Sequence, residues 1–69
     1  MATYRISKDN MPKLVDTLRN EMVSDNLFRA HCEQSIAVTD NGALIFVGHT
    51  TDNRLVKAAI ELGSIVSAV

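Results

Sequence analysis

Cysteine is nearly absent from this chain. Cys32 is the only one among 69 residues, so no internal disulfide can form. Taken with His31, His49 and Asp52 it fits no metal-ligand spacing, and no metal or other cofactor is expected. Tryptophan is missing and aromatic residues make up 4%, so a core must be built from short aliphatic side chains. Charge of one sign is missing too. Seven Lys and Arg stand against eight Asp and Glu, for a net charge of −1, and the basic residues are dispersed. A grip on nucleic acid needs clustered cations that displace counterions from phosphates, so that partner class is disfavoured. No window holds eighteen consecutive apolar residues, which excludes a membrane-spanning helix. The opening Met1-Ala2-Thr3-Tyr4-Arg5 has no apolar signal-peptide core, and a cytoplasmic location is expected. No phosphate-binding loop, dinucleotide fingerprint or nucleophile elbow is present, and no catalytic residue is assigned.

What remains is an aliphatic chain, 46% hydrophobic, read as one compact domain over 1–69. A domain of this size buries only about 60% of its unfolded surface. Without disulfides or metal, oligomerisation is the remaining common support for so thin a core.

The strongest local signal is Asn41-Gly42 between the apolar runs Ile36–Val38 and Ala43–Val47. It predicts a β-hairpin closed by a type I′ turn, with φ positive at both central residues. In that register Val38 faces Ile45, Ile36 faces Val47 and Gln34 faces His49, while Ala37–Phe46 and Thr39–Leu44 share the opposite face. Upstream, Thr3–Ser7 alternates as a short strand with Tyr4 and Ile6 on one side. Met11, Leu14, Val15, Leu18 and Met22 recur at helical spacing. Pro12 belongs in that helix's first turn, and Asp9 or Asn10 precedes it as a cap. From Phe28 to Thr39 the apolar residues alternate, which reads as a strand leading into the hairpin. The rival reading is a short helix from Leu27 to about Glu33, capped by Ser24 or Asp25. Downstream, Thr50-Thr51-Asp52 caps a helix carrying Leu55, Ala58, Ala59 and Leu62 on one face. Gly63 suits a left-handed stop. The tail Ser64–Val69 is then a last strand, the alternative being a helix that continues through Gly63. The dipeptide Asp-Asn occurs at 9–10, 25–26, 40–41 and 52–53, each time at an expected element boundary.

The order is β-α-β-β-α with a possible closing strand. This is a small α+β domain of the split βαβ, ferredoxin-like plan, an antiparallel hairpin packed on two helices. Two helices cover one side of the sheet only. An apolar surface is therefore expected from Tyr4, Ala37, Leu44, Phe46, Leu55, Ala59 and Leu62. The function it implies is a non-enzymatic protein-interaction module that self-associates, as a dimer, and binds another protein in a regulatory or inhibitory role; its size suits small phage- or plasmid-type proteins. The alternatives are a small ligand or single-stranded RNA on the open sheet face, with Tyr4 and Phe46 as stacking aromatics. A minimal enzyme built on a Cys32–His49 pair has the weakest support, since no third group orients the histidine.

Overall fold

In β1 (Ala2–Ser7), Tyr4 and Ile6 alternate with Thr3 and Arg5, so one side of the strand is apolar. The computed structural model describes residues 1–68, and from β1 the chain passes through a 3₁₀ turn (Lys8–Asn10) into helix α1 (Met11–Ser24). Asn10 stands at the cap position of α1 without a side-chain capping bond. Its amide instead donates to the carbonyl of Leu62 at 2.9 Å. That bond joins the start of one helix to the end of another and satisfies a carbonyl otherwise left free at a helix terminus.

Asp25 breaks the chain between α1 and α2 (Asn26–Ser35) with one extended residue, φ −137° and ψ 100°. The strand expected from Phe28 onward is corrected here: residues 26–35 are helical and only Ile36–Thr39 forms a strand, β2. The carboxylate of Asp25 accepts from the Phe28 N–H at 3.1 Å, a capping bond that starts the helix. Phe28 and Cys32, one helical turn apart, are both buried. A spacing of four satisfies a helix and an alternating strand alike, which is why the pattern misled.

The hairpin joins β2 to β3 (Gly42–Val47). Its turn also departs from expectation. Ile36 pairs with Ile45, Ala37 with Leu44, Val38 with Ala43 and Thr39 with Gly42, so Asp40 and Asn41 form the loop. The register has moved by two residues. A shift of two leaves every side chain on its expected face, whereas a shift of one would reverse them all. Among the described residues only Gly42 has positive φ, here 139°, so the Asp40-Asn41 turn is not type I′. Gly42 pairs with Ser7 of β1, and a Cβ there would run into the carbonyl oxygen of Ile6.

Helix α3 (Asn53–Leu62) and strand β4 (Ser64–Ala68) complete the fold; Val69 lies outside the described residues. Gly63 ends the helix as expected, but in extended conformation (φ −113°) rather than left-handed. It is small because a Cβ would approach the Ala59 carbonyl oxygen to 2.7 Å and Ile6 Cδ1 to 2.8 Å. The four strands are antiparallel in the order β2-β3-β1-β4, the ferredoxin-like arrangement. All three helices pack on one side. The core unites Ile6, Ala43 and Ile45 of the sheet with Leu14, Leu18, Phe28, Cys32, Leu55, Ala58 and Ala59 of the helices.

Candidate protein-interaction surface

Helix α1 presents a wider apolar stripe than the core absorbs. Leu14 and Leu18 are buried, Met11 and Met22 half-buried, and Val15 is 46% exposed. The unabsorbed side of that stripe faces β2, where Ile36 is half-buried and Val38 is 78% exposed. Between them runs an open apolar groove of about 530 Å³. Arg19 and Arg29 are among its walls and no carboxylate is. Both arginines have only exposed partners, Asp16 at 3.7 Å and Glu33 at 3.4 Å, contacts worth little in water.

The groove borders a sheet edge. In the order β2-β3-β1-β4, β2 is bonded on one side only. Its other side offers backbone donors and acceptors to an added strand. The sequence singled out neither this groove nor the β2 edge. The available signal was the breadth of the stripe, since Met11, Val15 and Met22 exceed what one helix buries on a thin sheet.

The expected surface residues divide between two environments. Ala37, Leu44 and Phe46 lie on the sheet face opposite the helices, with Phe46 43% exposed and the other two half-buried. There Leu44 sits between Ala37 and Arg5, and Phe46 beside Thr3. Tyr4 faces the other way: its side chain packs against the core on the helix side, as does that of Leu62. Leu55 and Ala59 are fully buried and are corrected to core residues. α3 crosses the sheet closely enough for its alanines to meet it, so this stripe has no free side. Tyr4 and Phe46 on opposite faces also remove the two-aromatic platform that base stacking would use.

A second polar cluster is structural. Arg54 donates to Asp52 at 2.9 Å and to Asp25 at 3.3 Å, and its guanidinium lies 4.0 Å from the centre of the Phe28 ring. The two aspartates cap α2 and α3, so one arginine ties both helix starts together. Arg54 holds the Asp52 carboxyl down to about 2. Asp25 is lowered first by its bond from the Phe28 N–H and then by Arg54. His31 joins the cluster by accepting the Asp52 N–H on Nε2 at 3.2 Å.

The loop before α3 is closed on itself. The Gly48 N–H donates to the Thr51 hydroxyl at 2.8 Å, and the cap of α3 is supplied by Asp52. Cys32 sits in α2, 1% exposed, and burial pushes its thiol up, with Asp52 adding to the shift. The strand register that placed it beside His49 does not exist. A buried, protonated thiol is a poor nucleophile. Among the described residues no cluster of His, Cys, Asp or Glu could hold a metal ion, and no helix is long and apolar enough to cross a membrane. Compared with family models, with curated proteins and with solved structures, the chain gives no match in any of the three.

Proposed function

We propose that the chain is a non-enzymatic protein-interaction module that self-associates and regulates or inhibits another protein by occupying part of its surface. The observation that supports this reading is the apolar groove of α1 and β2, open along an unpaired strand edge. Exposed aliphatic side chains beside free backbone groups are the features by which one chain adds to another's sheet. A thin core without disulfides or metal gives association a stabilising role as well. Sedimentation equilibrium tests the first half of the reading and should find a dimer at micromolar protein. A chain that stays monomeric at micromolar concentration sinks it.

A further inference from the structure

We propose that the occupant of the groove edge is a second copy of this chain, docked by antiparallel pairing of β2 with β2 about a two-fold axis through Ala37. Ile36 of each copy then lies beside Val38 of the other on the groove floor. This rests on the reading that the chain self-associates, and adds the edge, the register and the residues that meet.

The two sheet edges differ in what they present. β4 pairs with β1 through a register break between Thr3 and Tyr4, and places Ser64 and Ser67 in the ladder. Breaks of this kind twist an edge away from further pairing. β2 pairs with β3 without a break, and its sequence Ile-Ala-Val-Thr has no charge and no proline. β4 is equally free of charge and proline, so the register break is what separates the two edges and leaves β2 the regular one.

Register follows from parity. In a continuous sheet, facing residues share a face, so a two-fold axis sets one residue opposite itself. With Val38 on the axis, Asp40 of the second copy would face Ile36 beside the apolar groove, and a carboxylate would lose its water. With Ile36 on the axis, Val38 would face residue 34, which is helical. Ala37 on the axis pairs Ile36 with Val38 twice and holds Asp40 away from the Ile36 and Val38 floor. It meets α2 only past the ends of the paired segment, where Thr39 faces Ser35 and Asp40 faces Gln34.

The charges agree with this arrangement. Antiparallel pairing carries the Asp40 turn of the second copy to the end of β2 fed by α2. Arg29 of α2 lines the groove, and its only ion-pair partner among the described residues is the exposed Glu33 at 3.4 Å, a weak contact in water that leaves it open to the incoming Asp40. Symmetry forms the same contact twice. Size decides what else must join. A four-residue strand spans only about 13 Å and falls short of the roughly 800 Å² per partner that stable interfaces bury. The exposed apolar flank of α1, Val15 at 46% and Val23 at 80%, lines the same groove as Ile36 and Val38 and is the surface the second copy must also cover.

The test compares wild type, Val38→Lys and Phe46→Ser by sedimentation equilibrium, with circular dichroism to verify folding. Val38 is 78% exposed, so the lysine leaves the monomer fold intact. It should raise the dimer dissociation constant by roughly 100-fold, because each copy brings an ammonium to the seam. Phe46→Ser should leave the constant unchanged. As a second measurement, Ala37→Cys should form a disulfide-linked dimer on mild oxidation, while buried Cys32 stays unreacted. A wild-type monomer overturns both this arrangement and the reading beneath it. A dimer that survives Val38→Lys, or that fails to cross-link through Ala37→Cys, overturns the β2 pairing alone and leaves self-association standing.

Discussion

At the scale of single residues, much of this molecule rests on positions where one atom more or one charge fewer changes the outcome. Gly42 combines a positive φ with contact against the Ile6 backbone, and backbone has no rotamer with which to yield. Gly42→Ala should therefore cost at least about 2 kcal/mol, read as a shift in the urea midpoint. Arg54 gives a pH dependence of definite sign. Asp25 and Asp52 are both lowered in the folded chain, against about 3.9 when unfolded. Their contribution is thus complete above the unfolded value and is lost as pH falls through it, in the case of Asp52 toward about 2. Stability measured from pH 6 down to pH 2, a window set by these pKa values, should decline, and Arg54→Met should flatten the Asp52 part of the decline. The Asp25 part should persist, since its leading cause is the Phe28 N–H. The Asp-Asn pairs were legible as boundaries, and the caps at Asp25 and Asp52 bear this out. That Arg54 reads both caps across Phe28 was not legible, because nothing in linear spacing brings residues of α2 and α3 together.

At the scale of elements, the sequence was most readable where periodicity and end signals agreed. α1 follows its apolar spacing, α3 follows its cap and its glycine stop, and β4 follows its β-branched residues. α2 was misread because its two buried residues are four apart, a spacing that both periods share. Local chemistry decides such a case: Arg29 and Glu33 form a helical pair, and Asp25 supplies the cap. Asp25→Ala should then lower the urea midpoint, as loss of a helix cap does, and speed hydrogen exchange at the Phe28 amide, leaving α1 protected. The hairpin shows how error at this scale can be harmless. Its pairing slipped by two residues, yet Ala37, Leu44 and Phe46 stayed on the face expected of them.

At the scale of the whole molecule, the four-stranded plan was legible and the apolar groove at the β2 edge was not. Element order and turn chemistry fix a ferredoxin-like sheet with its helices on one side. Where the helix layer stops short of the β2 edge depends on how α1 sits over the sheet, which no pattern of apolar residues records. The stripe on α3 was read as surface for the same reason, and packing placed Leu55 and Ala59 in the core. β2 itself begins directly where α2 ends, with no loop between them. The edge is therefore held in place by the packing of Phe28 and Cys32, and it is present only while that packing lasts. Heating cannot release the core and keep the seam. Under the proposed β2 pairing, assembly and folding become one equilibrium, so the melting temperature should climb with protein concentration in the wild type. In Val38→Lys it should stay level across the same dilution series.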